Sequence, residues 1–194
     1  ARGGREELWP VASHFIGKYI LKTHSVFWPT MLLAAGYPLY EHLNVHGFWT
    51  SGGQKMSKSL GNVVKPLVLR DTYGMDAVRY FLLREMAFGN DADFTEQALV
   101  TRINADLANG LGNLASRTLA MMHKYFAGEV QPIGRRTPED GELAEAFARA
   151  RTDLDTHVNA LAFHRGLEAV WRALDAANKY IVATAPFTLA KDPA

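Results

Sequence analysis

The sequence contains no cysteine, which excludes disulfide bonds and metal sites built on thiolates. None of its apolar stretches approaches the ~18 residues that a membrane-spanning helix needs. The first five residues have neither an initiator Met nor the apolar core of a signal peptide. The seven histidines are scattered along the chain, and we predict no metal site. A cytoplasmic protein without a bound metal is therefore the default expectation.

Charge is nearly balanced overall but unevenly distributed. The 194 residues carry a net charge of +1, and 48% of them are hydrophobic, as in a globular protein with a sizeable core. Residues 1–66 hold seven Lys/Arg against three Asp/Glu, whereas residues 137–194 hold six against nine. The basic part favours a phosphate-bearing ligand near the amino-terminal end of the chain.

One loop in the basic part carries most of the functional information. Residues 52–62 read Gly-Gly-Gln-Lys-Met-Ser-Lys-Ser-Leu-Gly-Asn. The glycines allow sharp bends, Lys55 and Lys58 supply compact positive charge, and Ser57 and Ser59 can bind phosphate oxygens or cap a following turn. When a carboxylate attacks the α-phosphate of ATP, lysines that close on the departing pyrophosphate accelerate the reaction. For a bare Lys-x-x-Lys pattern, the alternative is a solvated surface loop.

The loop resembles the signature loop of class I aminoacyl-tRNA synthetases. Five further segments resemble the methionyl family: 14–18, 24–29, 45–50, 80–85 and 102–109. The likeness covers most of the chain and is weakest over about 128–160. It implies a carboxy-terminal part of a longer synthetase, because the His-x-Gly-His-type segment of the family is absent, and Ala1 would then be an internal boundary. Synthetases for other apolar amino acids carry related loops and remain an alternative.

Hydrophobic periodicity predicts a strand at 14–17, a helix at 19–35 kinked by Pro29, and a second strand at 44–48. Together these form one parallel crossover of a doubly wound sheet. Ligands bind such sheets beyond the carboxyl ends of the strands, where Gly17 and the loop of residues 52–62, called the lysine loop below, lie. The predicted fold is an α/β remnant, the second half of a Rossmann-like catalytic domain, followed by a mainly α-helical bundle, and predominantly α overall.

Beyond Asn62 the sequence predicts helices with few strand signals. The predicted helices span 68–73, 76–83 with Asp76 as N-cap, 95–126, 139–160 and 162–185, and residues 88–94 are a turn-rich connector. Together with the roles that the resemblance implies, these patterns divide the chain into the catalytic remnant at 1–50, the loop with Lys-Met-Ser-Lys-Ser at 55–59 (KMSKS) and a connecting helical region at 51–94, and an anticodon-binding helix bundle at 95–194 that is incomplete at its end.

The resemblance implies roles for several residues of the first segment. Lys55 and Lys58 would be catalytic. ATP would be bound by Gly17 and by the five consecutive residues Lys55, Met56, Ser57, Lys58 and Ser59. Ile20, His24 and Trp28 would shape the methionine side-chain pocket, in keeping with the affinity of a thioether for aromatic rings. Taken alone, a His on an apolar helix face is more often a core residue. Tyr19 stands where the family pattern has an Asp near the ribose, so we assign it no role.

The resemblance also implies tRNA contacts in the bundle. Asn113 and Arg117 match a family Asn and Arg that meet the anticodon, and their i, i+4 spacing places them on one helix face. On the residues alone, a helix cap and a solvated arginine remain the alternative. Phe187 replaces a family Trp that stacks on an anticodon base, and base stacking is worth ~1–3 kcal/mol. Phe187 as a plain core residue remains equally open.

The implied activity is that of a methionine–tRNA ligase. The parent enzyme would activate methionine with ATP, supplied as its Mg²⁺ complex, and transfer it to tRNA(Met). We expect the 194 residues alone to be inactive, because the first nucleotide-binding half is absent from them. The alternative from a different functional class is a non-catalytic tRNA-binding module.

Overall fold

The computed structural model describes residue 9, residues 11–132 and residues 134–191. The predicted fold class is confirmed, because helices dominate and the strands form only small sheets. The described residues pack into two compact units that interleave along the chain. One unit extends to Val64 and includes Met86–Phe94, and the other comprises Lys65–Glu85 and the residues from Thr95 onward. The predicted segment 51–94 is thus shared between the two units.

The first unit begins with the predicted parallel crossover. Strand β1, Ser13–Gly17, pairs in parallel with β2, His42–His46, in a register that joins Ser13 to His42 and Gly17 to His46. Because the two strands are parallel, their carboxyl ends lie at the same edge of the sheet, and the connection between them is helical. The second strand starts two residues earlier than predicted and ends before Gly47.

The helix of this crossover is less regular than predicted. It comprises a 3₁₀ turn at Lys18–Ile20, a π-helical turn at Thr23–Phe27 and α1 at Trp28–Ala34. The amide of Trp28 donates to the carbonyl of Thr23, five residues back. Pro29 has no amide hydrogen, so the irregularity falls where the sequence predicts a kink.

A second, three-stranded sheet completes the unit. Strand β3, Trp49–Ser51, is antiparallel to β4, Gln54–Lys55, and parallel to β5, Ala92–Phe94. The interpretation of 88–94 as a connector without strand structure was therefore wrong for its last three residues. Strands this short are stabilised by their partners, and the partner of β5 lies about 40 residues earlier in the chain.

The second unit is helical. Its elements are α2 (Pro66–Tyr73), α3 (Met75–Glu85), α4 (Glu96–Arg102), a π-helical segment (Ile103–Gly112), α5 (Asn113–Phe126), α6 (Pro138–Asn159), α7 (Phe163–Thr184) and α8 (Pro186–Leu189). Asp76 is not the N-cap of α3, because it lies inside the first turn. None of the helices among the described residues combines the length and the hydrophobicity of a membrane-spanning segment.

The core of this unit centres on α3, α4 and α7. Phe81 and Leu99 are completely buried. Small residues on α7 let α6 approach closely: a side chain at Gly166 would meet the Leu154 side chain at 3.1 Å. Ala169 and Ala173 continue the same buried stripe at helical spacing.

Candidate functional site

The lysine loop begins as a tight hairpin. Gly52 and Gly53 both have positive φ, at +60° and +73°, and connect β3 to β4. A two-residue turn with both φ angles positive matches the twist of the flanking strands, and glycine adopts it without strain. The hairpin places Lys55 opposite Thr50 in the β3–β4 ladder.

Asp93 on β5 anchors this hairpin. Its Oδ1 accepts hydrogen bonds from the Thr50 hydroxyl at 2.6 Å and from the Gly53 amide at 2.7 Å. The bond from Thr50, followed by that from Gly53, lowers the pKa of the Asp93 carboxyl. No local pattern signals this contact, because Asp93 is 40 residues from Gly53 and lies in a strand that was not predicted.

Asn62 closes the second half of the loop. Its Oδ1 accepts from the Ser57 amide at 2.8 Å, and its Nδ2 donates to the Lys55 carbonyl at 3.2 Å. The Ser57 hydroxyl accepts from the Leu60 amide at 3.2 Å and lies 3.1 Å from the Ser59 hydroxyl. Of the two roles predicted for Ser57, the structure therefore shows turn capping. The loop backbone is held in place rather than freely flexible.

The two lysine ammonium groups project from this frame. Lys55 Nζ lies over the ring of Tyr19, 5.8 Å from its centroid. Lys58 is exposed, and neither ammonium forms a salt bridge within the described residues. Met56 between them is half-buried. The loop thus presents two cations that no carboxylate of the described residues neutralises, one on the hairpin and one on the turn that Asn62 closes, and such an arrangement suits a polyphosphate.

Replacing Asn62 with alanine is expected to loosen the loop without unfolding the unit. The change removes two hydrogen bonds, each worth about 1 kcal/mol, so amide exchange at Ser57 should accelerate by roughly 5–30-fold. Hydrogen–deuterium exchange measured by NMR checks this. In Asn62→Asp the acceptor for the Ser57 amide persists, so Ser57 should stay protected. Equal protection in the alanine variant and the wild type would contradict the assigned role of Asn62.

The edge of the first sheet lies at Gly17. A side chain there would meet the His46 ring at 3.5 Å. His46 Nδ1 lies 2.8 Å from the Gly47 carbonyl, which can only accept, so Nδ1 carries a hydrogen and Nε2 is left for another partner. His42 and His46 have a spacing that chelates metals on a helix, but on a strand it separates their Cα atoms by about 13 Å. His46 was not among the predicted site residues, although its place at a strand end was a usable signal.

Lys18 differs from the loop lysines because it is already paired. Its Nζ lies 2.6 Å from Asp91 Oδ2 and 4.7 Å from the centre of the Phe48 ring. Asp91 Oδ1 also accepts from the Phe48 amide at 2.7 Å. The bond from Lys18, then that from Phe48, lowers the pKa of Asp91. Both groups are partly exposed, so this pair organises the loop before β5 more than it stabilises the fold.

The predicted methionine-pocket residues lie beside an aromatic cluster. Trp9 makes an edge-on contact with Trp28 at 6.0 Å between ring centroids. His14 contacts the rings of Trp9, His24 and Tyr40 at 5.9, 6.2 and 4.4 Å. Trp9, His14 and Tyr40 were not among the predicted site residues, because the crossover, and no local pattern, brings them together.

The three predicted residues do not occupy equivalent positions. Trp28 lines a groove of about 350 Å³ with Trp9, Met31, Leu32, Ala35 and Tyr37. His24 is half-buried, its Nδ1 donates to the Ile20 carbonyl at 3.0 Å, and its own carbonyl accepts from the Tyr40 hydroxyl at 2.6 Å. Ile20 is 41% exposed and does not line the groove. The structure thus brings the rings of His24 and Trp28 to the aromatic cluster, whereas Ile20 contributes only its carbonyl, which binds His24.

The predicted tRNA-contacting residues belong to the helical unit. Asn113 begins α5 and Arg117 follows one turn later, and both are exposed. Phe187 lies in α8 and is 42% exposed, which disfavours a plain core role. Its neighbours Pro186 and Leu189 line an apolar groove of about 460 Å³ with residues of α5 and α7.

A polar network supports the π-helical segment that leads into Asn113. Asp106 accepts from the Tyr80 hydroxyl at 2.7 Å and from Arg102 at 3.4 Å, and its carbonyl accepts from Trp171 Nε1 at 3.3 Å. Burial, then the hydrogen bond to Asp106, raises the pKa of Tyr80 above its ordinary value. Gly110 lets Trp171 approach, since a side chain there would meet Nε1 at 3.4 Å. These contacts tie the π-helical segment before α5 to α3 through Tyr80 and to α7 through Trp171.

Comparison with known proteins identifies relatives of this chain. Residues 6–119 match the family described as tRNA synthetases class I (M). The methionine–tRNA ligase of Clostridium perfringens is 45% identical over 187 residues, which cover 96% of this chain and 29% of that protein. The corresponding ligase of Fusobacterium nucleatum is 46% identical over 181 residues, covering 93% of this chain and 28% of that protein. The chain thus spans less than a third of the length of these two relatives.

Solved structures agree with the sequence relatives. Mycobacterium tuberculosis methionyl-tRNA synthetase bound by methionyl-adenylate superposes with a TM-score of 0.91 at 43% identity, over 96% of this chain and 37% of that one. A second structure of that synthetase in complex with methionyl-adenylate gives a TM-score of 0.93 at 42% identity, over 100% of this chain and 38% of that one. The chain therefore belongs to the class I tRNA synthetases of the methionyl family.

Proposed function

We propose that the protein carrying these residues is a methionine–tRNA ligase that activates methionine with ATP and transfers it to tRNA(Met). The observation that carries this proposal is the pair of ammonium groups of Lys55, on the hairpin, and Lys58, on the turn that Asn62 closes, neither of which forms a salt bridge within the described residues. Lys55 lies over Tyr19, two residues beyond Gly17, so the hairpin folds toward the carboxyl end of β1. The Mycobacterium tuberculosis synthetase, 43% identical, was solved bound by methionyl-adenylate, the product of the activation step.

In the activation step, the methionine carboxylate attacks the α-phosphate of ATP and pyrophosphate departs. Negative charge grows on the leaving group, and Lys58 and Lys55 stabilise it. ATP arrives as its Mg²⁺ complex, and the metal neutralises further phosphate charge. Ser57 holds the turn, while Ser59 and the Met56 backbone complete the phosphate-binding surface. Gly17 permits close approach of the nucleotide, because it presents no side chain.

The aromatic cluster supports methionine as the amino acid. A thioether is polarizable and packs favourably ~5 Å from aromatic rings. His24 and Trp28 supply such rings, and Trp9, His14 and Tyr40 hold them in place. Ile20 orients His24, because its carbonyl accepts the hydrogen bond from the imidazole. Pocket shape then discriminates against branched side chains by about 1–3 kcal/mol per methylene.

The helical unit supplies the tRNA-binding role in this proposal. Asn113 can donate to and accept from a base edge, and Arg117 can stack on a base or contact phosphate. Phe187 presents an accessible ring for base stacking. The exposure of all three side chains supports this assignment over a structural role.

Amino-acid-dependent ATP–pyrophosphate exchange tests the proposal. The full-length protein should catalyse ATP–pyrophosphate exchange when methionine is present. With isoleucine, valine or leucine in its place, exchange should be at least about 100-fold slower, which corresponds to the discrimination expected for roughly two methylenes. The isolated 194-residue chain should show no exchange, since these residues contain no His-x-Gly-His segment. If the full-length protein binds tRNA in a salt-sensitive way but exchanges with none of these amino acids, it is a binding module and the proposal is wrong.

A further inference from the structure

Tyr19 is an aromatic residue without a packing role in the described structure. It lies in the 3₁₀ turn that follows β1, and its side chain is 80% exposed. An exposed tyrosine contributes little to a core. It follows the carboxyl end of β1 by two residues, and parallel sheets bind ligands beyond that end of their strands.

The contact that Tyr19 does make is with Lys55. Two contacts fix the Lys55 backbone: Lys55 pairs with Thr50 in the β3–β4 ladder, and its carbonyl accepts a hydrogen bond from Asn62 Nδ2. The side chain then reaches back so that Nζ lies 5.8 Å from the centroid of the Tyr19 ring. This distance falls within the ~6 Å range of a cation–π interaction.

Lys18 shows what a different partner does to an ammonium group in the same unit. Asp91 binds it at 2.6 Å and neutralises it. A carboxylate partner for Lys55 would likewise compete with phosphate for the same positive charge. An aromatic ring attracts the cation through its quadrupole and leaves the charge intact. The ring therefore orients the ammonium without neutralising it.

We propose that Tyr19 is a positioning residue that holds the Lys55 ammonium at the carboxyl end of β1, ready for the pyrophosphate that leaves during adenylation. This inference rests on the proposed function. A cation–π contact at an exposed site is weak, so its loss corresponds to about a 2–5-fold change in rate. The ring, rather than the hydroxyl, carries the effect.

The test uses the full-length protein with Tyr19→Leu, which removes the π face, and Tyr19→Phe, which keeps it. In ATP–pyrophosphate exchange, Tyr19→Leu should lower kcat about 2–5-fold and leave the KM for methionine unchanged, whereas Tyr19→Phe should match the wild type. In a Lys55→Ala background, Tyr19→Leu should cause no further loss. A wild-type rate for Tyr19→Leu, no rescue by Tyr19→Phe, or an undiminished loss in the Lys55→Ala background overturns the proposal.

A second readout does not depend on activity. In the NMR spectrum of the full-length protein with ¹³C-methylated lysines, the Lys55 resonance should carry a ring-current shift that disappears in Tyr19→Leu and persists in Tyr19→Phe. An identical Lys55 resonance in the wild type and Tyr19→Leu overturns the positioning role. If the shift behaves as expected but the wild type shows no methionine-dependent exchange, the contact is real and the proposed function is what fails.

Discussion

Replacing Lys58 with alanine is expected to lower the kcat of methionine-dependent pyrophosphate exchange by about 10²–10³-fold, as removal of a preorganised charge-stabilising donor does elsewhere. Lys58 is exposed on a loop whose backbone is fixed by Asn62, so the change removes a charge without disturbing the fold. The KM values for ATP and methionine should change only a few-fold, because the interaction strengthens as pyrophosphate departs. Steady-state exchange kinetics of the full-length protein measure both parameters.

Lys179→Ala is the matched control for this experiment. Lys179 is an exposed lysine on α7, in the helical unit, and its neutralisation changes the net charge equally. It should leave exchange unaffected. A Lys58→Ala enzyme with kcat within threefold of the wild type would show that the ammonium does not act in the transition state.

Replacing Gly47 with alanine is expected to produce the largest loss of stability. A Cβ at this position would lie 2.0 Å from the carbonyl oxygen of Asn90 and 2.6 Å from the amide nitrogen of Asp91. These are backbone atoms, so the strand connection itself must move, and the hydrogen bond from the Phe48 amide to Asp91 breaks with it. We expect about 3 kcal/mol of destabilisation, at the upper end for overpacked sites. Thermal or urea unfolding of the purified protein measures it.

Gly141→Ala is the control variant, because the same substitution should there increase the free energy of unfolding. Gly141 lies within α6, and a side chain there would meet nothing within 4 Å. Alanine should stabilise the helix by about 0.5–1 kcal/mol, because glycine is a poor helix former. Comparable stability of the Gly47→Ala variant and the wild type would refute the close approach of Gly47 to Asn90.

The part of the fold that the sequence predicted is the part encoded by local patterns. The β1–β2 crossover follows from two short apolar runs around an amphipathic stretch, and the helices of the second unit follow from their periodicity. Strand β5 carries no such signal, because three residues have no period. It exists because Ala92–Phe94 pairs with Trp49–Ser51, far away in the sequence.

The candidate site divides in the same way. Lys55 and Lys58 could be proposed as site residues from the sequence because they lie in one contiguous motif. Asp93 and Tyr40 were not, since each acts through a contact across the fold. Tyr19 was set aside as a departure from the family pattern, yet its ring meets Lys55. Residues that support a motif are recognised only when the structure shows what they touch.

Single-turnover formation of methionyl-adenylate by the full-length protein, with Lys55 and Lys58 both replaced by alanine, tests the central claim most directly. We predict that the rate constant of adenylate formation falls by at least 10²-fold, while the dissociation constants of ATP and methionine change only a few-fold. An unchanged rate constant, or a loss confined to ATP binding, would contradict the view that these two ammonium groups stabilise the departing pyrophosphate.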